Sequence, residues 1–134
     1  MSLVVLDTTV ASFMYAGRPE LALYADVLVG STPALPFQAK AEMLLGAELR
    51  GWGRSRRAAL DTFLAAHMIL LVSEAVVAAW VRIMSASERA GRALCDSDAW
   101  IAACALANGA PLLKHDADFR GLAIPGLDVV CRAP

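Results

Sequence analysis

Asp7 and Asp116 each follow a short apolar run: Leu3-Val4-Val5-Leu6 leads into Asp7, and Pro111-Leu112-Leu113-Lys114 leads into His115-Asp116-Ala117-Asp118-Phe119. Runs of this length and composition predict strands buried on both faces, as in a parallel sheet. In open α/β sheets ligands bind beyond the carboxyl ends of the strands, where loops converge on a rigid support. Taken singly, either aspartate could equally cap the next helix or close an Asx turn.

Two further acids fall on helical stripes. Glu42 shares a stripe with Gln38, Leu45 and Leu49, so its carboxylate is expected to point toward the packed side. Asp98 lies with Ile101, Ala102 and Ala105, on a small, apolar face. A carboxylate on a buried stripe is costly to ionise without a cation or dense hydrogen bonding. Four such groups in one cleft would repel one another, and a hard divalent cation, Mg²⁺ or Mn²⁺, is the natural neutraliser. Acidic clusters with such ions are suited to phosphodiester hydrolysis, with the carboxylates as ligands and one orienting the attacking water. Glu48, Asp61 and Glu88 read as ordinary surface charges.

The elements that must position these acids alternate between strand and helix. Expected strands cover residues 3–6, 68–72, 111–114 and 127–131. Expected helices follow Asp7, open at Pro19, and cover residues 37 to about 50, 54–66, 74 to about 87, and 96–107. Pro33 and Pro36 are expected to break the chain ahead of the third helix, and Gly51 with Gly53, then Asn108-Gly109, to end two of the others. This order predicts an α/β sandwich with a parallel core. No repeat, low-complexity tract or linker interrupts it.

At 134 residues the sequence fits one domain, 1–134. With 58% hydrophobic and only 19% charged residues, part of its surface must be apolar or covered by a partner. The most apolar stretch, 65–81, is interrupted by His67, Ser73 and Glu74 and falls short of the roughly 20 apolar residues of a membrane helix. No signal-peptide pattern opens the sequence, so a cytoplasmic location is expected. Cys95, Cys104 and Cys131 form an odd set without CxxC spacing, against a disulfide framework or a zinc site. Neither a GxxxxGK[ST] nor a GxGxxG loop is present to cradle a nucleotide. The net charge of −1 leaves RNA attraction to a local patch, Arg50, Arg54, Arg56 and Arg57 around Trp52. That patch reads equally as a solvated helix junction or a docking surface for a protein partner.

Val5-Leu6-Asp7-Thr8-Thr9 resembles the opening motif of PIN-domain ribonucleases. Residues Asp98 to Gly109 resemble the family's D-x-x-I-A-A-x-A-L-x-x-G helix, Pro111 to Phe119 its strand and fourth-acid turn, and Gly126 to Val130 its last strand. The resemblance implies a PIN-like three-layer α/β/α sandwich with a central, mainly parallel sheet. It also implies a metal-dependent endoribonuclease with Asp7, Glu42, Asp98 and Asp116 as catalytic residues and ligands of Mg²⁺ or Mn²⁺. By further analogy it implies a VapC-like toxin, usually dimeric, held inactive by a VapB-like antitoxin and cleaving tRNA or ribosomal RNA. Lys114 departs from the pattern, standing where many relatives have Thr or Ser, which leaves Thr9 to supply hydroxyl support.

Asp96 is expected as an N-cap or first-turn acid, Asp118 as a structural residue beside a core Phe119, and His115 as a turn residue rather than a base. Met43, Met68 and Met84 read as core filler. A receiver domain would need paired acids after the first strand and an acceptor Asp after a middle one, and an aspartyl phosphatase a D-x-D opening; Thr9 and Ser73-Glu74 supply neither. Two alternatives stay open: a PIN nuclease of RNA maturation without an antitoxin, and a non-catalytic PIN-like binding module.

Overall fold

The computed structural model describes residues 2–134. Five strands form one sheet in the order β3-β2-β1-β4-β5, and every neighbouring pair is parallel: β1 (Ser2–Leu6), β2 (Ser31–Pro36), β3 (Met68–Leu70), β4 (Leu112–Leu113) and β5 (Val129–Val130). The expectation of a mainly parallel sheet is therefore met in full. Parallel neighbours require crossovers, which helices supply on both faces. On one side lie α1 (Thr8–Ala16), a 3-10 turn (Pro19–Tyr24) running into α2 (Ala25–Leu28), and α4 (Arg54–Ala65); on the other lie α5 (Glu74–Arg89) and α6 (Asp96–Ala107). Helix α3 (Phe37–Leu49) reaches both cores, with Ala39 in one and Met43 and Ala47 in the other.

The central strand shows why the sheet holds. Val4, Val5 and Leu6 of β1 are fully buried, with Val5 packed among α5 and α6 residues and Val4 and Leu6 among those of α1, α3 and α4. Each large apolar side chain removed from water in this way contributes about 1.5–3 kcal/mol. Helix α6 is almost solid with small residues, Ala99, Ala102, Ala103, Cys104 and Ala105, all buried, which lets it lie close against α5 and the sheet. Asn108 and Gly109 end it, Gly109 at φ +60°, where only glycine is unstrained.

Three expectations need correction. Pro33 does not break the chain ahead of α3: it lies within β2, second from the edge and opposite Val4, whereas Pro36 both ends β2 and occupies the N-cap position of α3. A proline removes one ladder donor, but β3 pairs with β2 only from Ala34 onward, so on that side Pro33 lies beyond the ladder. The strands expected at 68–72, 111–114 and 127–131 are shorter than their apolar runs. Leu71 and Val72 leave β3 and are exposed. The stripe through Gln38, Glu42, Leu45 and Leu49 is not the packed side of α3: Leu45 is 56% and Leu49 77% exposed, while Ala39, Met43 and Ala47 form the buried stripe. Glu42 flanks that stripe. No helix among the described residues is long and apolar enough to cross a membrane.

Candidate active site

Strand order places the site. The chain leaves β1 toward β2 on one side and returns as β4 on the other, so the crevice beyond the carboxyl ends of β1 and β4 is the topological switch point of the sheet. Leu6 is in register with Leu113, and the Asp7 amide donates to the Leu113 carbonyl at 3.0 Å, which sets Asp7 and Lys114 side by side at that edge.

Asp7 is the N-cap of α1. Its Oδ1 accepts from the Val10 amide at 2.8 Å and its carbonyl from the Ala11 amide. The cap reading of this residue is thus satisfied by one oxygen, while the other, Oδ2, faces the Lys114 ammonium at 3.8 Å. Asp98, in the first turn of α6, faces Lys114 Nζ at 3.2 Å. Asp116 faces it at 2.9 Å, while its other oxygen accepts from the Asp118 amide at 2.9 Å in an Asx turn. Asp118 itself lies 3.9 Å from the ammonium and meets the Asp98 carboxylate. Four aspartates thus surround one buried lysine.

Burial dominates the electrostatics of Asp7, pushing its carboxyl up to about 6 against the Val10 hydrogen bond and the charge of Lys114. Burial also raises Asp98, but hydrogen bonds from Asp118 and Cys95 and the nearby ammonium outweigh it and hold Asp98 below the usual carboxylate range. The same contact with Asp98 raises Asp118. For Lys114, burial lowers the pKa, yet the hydrogen bond to Asp116 and the charges of Asp98 and Asp7 carry it up to about 12.

Glu42 stands apart from this group. It accepts from the Thr8 hydroxyl at 3.1 Å and from the Gln38 amide at 3.4 Å, and makes no ion pair with Lys114 among the described residues. Thr8, not Thr9, therefore supplies the hydroxyl; Thr9 is exposed, because the helical turn after Asp7 carries it outward. Glu42 and Thr8 open onto a groove of about 420 Å³ between α1, α3 and α4, which continues past Tyr15 to Arg50, Trp52 and Arg56. Tyr15 stacks on Trp52 with ring centres 6.2 Å apart, and the Arg56 guanidinium lies 4.2 Å above the Trp52 ring. The arginine patch is thereby divided, since Arg57 is drawn into an exposed ion pair with Glu48 at 2.6 Å.

His115 turns away from the carboxylates. Its Nδ1 shares a hydrogen bond with the Tyr24 hydroxyl at 2.5 Å, and its ring packs on Phe13. Asp96 is the first residue of α6 and is exposed, while the cap position falls to Cys95. Asp118 and Lys114 are the site residues that sequence reasoning left out. Their spacing from Asp116 was visible, but nothing local told that the Lys114 side chain turns inward or that the half-exposed Asp118 carboxylate faces its ammonium.

By atom type the donors suit a hard divalent cation, being carboxylate oxygens with no imidazole or thiolate among them, although the Lys114 ammonium stands where they converge. The profile of the PIN domain family matches residues 4–125. The chain belongs to the PIN-domain family. Among solved structures, this PIN domain is similar to VapBC2 from Rickettsia felis bound to a DNA fragment from its promoter, with a TM-score of 0.78 and 22% identity over 96% of this chain and 98% of that one. It is also similar to VapBC-5 from Mycobacterium tuberculosis, a member of a family of toxin-antitoxin systems, with a TM-score of 0.70 and 25% identity over 98% and 99%. DNA-bound VapBC from Salmonella typhimurium aligns with a TM-score of 0.76 and 19% identity over 98% of each chain. No curated protein sequence matches the chain significantly.

Proposed function

We propose that this PIN domain is an endoribonuclease that requires Mg²⁺ or Mn²⁺, with Asp7, Glu42, Asp98 and Asp116 as the residues that would hold the ion. The observation that carries the reading is the convergence of the Asp7, Asp98 and Asp116 carboxylates on one point at the switch point of the sheet, within 2.9–3.8 Å of the Lys114 ammonium. A divalent ion bound there supplies Lewis acidity toward a phosphodiester. The chain's own groups do the rest. Asp7 and Asp98 are fixed by the first turns of α1 and α6, Thr8 orients Glu42, and Glu42 at the mouth of the groove is placed to orient a water. Arg50 and Arg56 would hold backbone phosphates and Trp52 would stack a base, so that an RNA strand in the groove leads to the acids.

The likeness to VapBC structures supports a more specific role, the toxin of a toxin-antitoxin pair acting in the cytoplasm on tRNA or ribosomal RNA. A VapB-like antitoxin would restrain it, and a homodimer would be the working form. The exposed Leu45 and Leu49, on the same helix as Glu42, give such partners apolar surface to cover.

The test is incubation of the purified, partner-free chain with a tRNA and ribosomal RNA pool in Mg²⁺ or Mn²⁺, beside EDTA and Asp98→Asn controls. Discrete cleavage lost in both controls supports the nuclease. Intact RNA at high enzyme concentration sinks it.

A further inference from the structure

Lys114 follows β4 on a rigid base. Its amide donates to the Val130 carbonyl at 3.1 Å, and its side chain is 3% exposed, so the ammonium can leave the site only by rotation of its own stem. Asp116, Asp98, Asp7 and Asp118 stand around Nζ at 2.9, 3.2, 3.8 and 3.9 Å. Asp116 and Asp98 thus lie at hydrogen-bonding distance from the ammonium and Asp7 and Asp118 at the longer distance of an ion pair, and all four are wider than the about 2.0–2.1 Å at which oxygen ligands hold Mg²⁺. Among the described residues no three acidic, histidine or cysteine side chains are arranged to hold a metal ion. The carboxylates are spaced around a lysine.

We propose that Lys114 is a built-in cation which occupies the focus a divalent ion would need, so that the folded chain holds its aspartates together without metal and binds a divalent ion there only weakly, by displacing the ammonium. This rests on reading the same acids as metal ligands. An apolar side chain of similar length at position 114 would leave the aspartates without their counter-charge, and they would then demand an external cation.

Calorimetric titration of the full chain with Mn²⁺, together with melting in EDTA, compares wild type with Lys114→Met. The expected result is weak binding by wild type, binding tightened by about tenfold or more in Lys114→Met, and a lower melting temperature of the variant in EDTA that Mn²⁺ restores. Equal Mn²⁺ affinity in the two proteins, or submicromolar affinity in wild type, overturns the inference. If Lys114→Met does not fold, Lys114→Thr, shorter and also neutral, is read by the same criteria. Tightened Mn²⁺ binding in a protein that leaves RNA intact would defeat the nuclease reading and sustain this one. RNA cleavage with Mn²⁺ affinity indifferent to Lys114 would do the reverse.

Discussion

Asp7 caps α1 through one oxygen and faces Lys114 through the other, and its buried carboxyl is pushed up to about 6 from 3.8. The folded protein therefore holds a proton on Asp7 at pH values where the unfolded chain has released it. Below about pH 4 both states are protonated and Asp7 contributes nothing to pH dependence. As pH rises from about 4 to 6 the unfolded chain ionises freely while the folded state must keep its proton, so stability falls, and above about 6, where both states are charged, the loss levels off. At 1.36 kcal/mol per pH unit the loss is at most about 3 kcal/mol. Asp7→Asn keeps the cap acceptor without the charge. In EDTA at pH 7.5 it should gain about 1–3 kcal/mol in urea unfolding, lose the slope between pH 4 and 6, and lose RNA cleavage. A variant less stable than wild type at pH 7.5 would mean that the Lys114 pairing outweighs the burial cost.

Helices α5 and α6 are the elements on which the position of Asp98 depends. Ile83 of α5 is fully buried in the same cluster as Ile101, Ala102 and Ala105, the three residues that share a face with Asp98. Ile83→Ala removes three carbons from that cluster and should cost about 2–4 kcal/mol in denaturant unfolding, the spread depending on how far the small residues of α6 close the gap. A cost below about 1 kcal/mol would indicate that α5 packs more loosely than the buried cluster implies. The extent of α6 was legible in the sequence, with residues 96–107 both expected and observed, because an uninterrupted alanine-rich run closed by Asn-Gly carries its own start and stop. Strand β2 was not legible, because its two prolines oppose strand formation locally and are tolerated only in the company of β1 and a short β3.

Over the whole molecule the net charge is −1, so any grip on RNA must come from the placement of a few arginines. Arg50 and Arg56 line the groove that begins at Glu42, whereas Arg57 is held by Glu48. In an Asp98→Asn background, Arg50→Ala with Arg56→Ala should weaken binding of a single-stranded RNA. The slope of log K against log salt should shrink by about 0.7 for each phosphate no longer neutralised, roughly 1.4 for both. An unchanged slope would place the RNA elsewhere on the surface.

By itself the sequence determined the alternation of strands and helices, the parallel sheet, and the positions of Asp7 and Asp116 at strand ends, because apolar runs, caps and breakers act within a few residues. It also singled out Glu42 and Asp98, the former by a stripe that lies mostly in solvent. Tertiary structure alone decided that Thr8 rather than Thr9 holds Glu42, that His115 packs on Phe13, that Asp118 joins Asp98, and that Lys114 lies at the centre of the aspartates. The physical reason is common to all four. Periodicity tells which side chains leave the solvent, while the counter-charge or hydrogen-bond partner each one meets is set by strands and helices far apart in the chain.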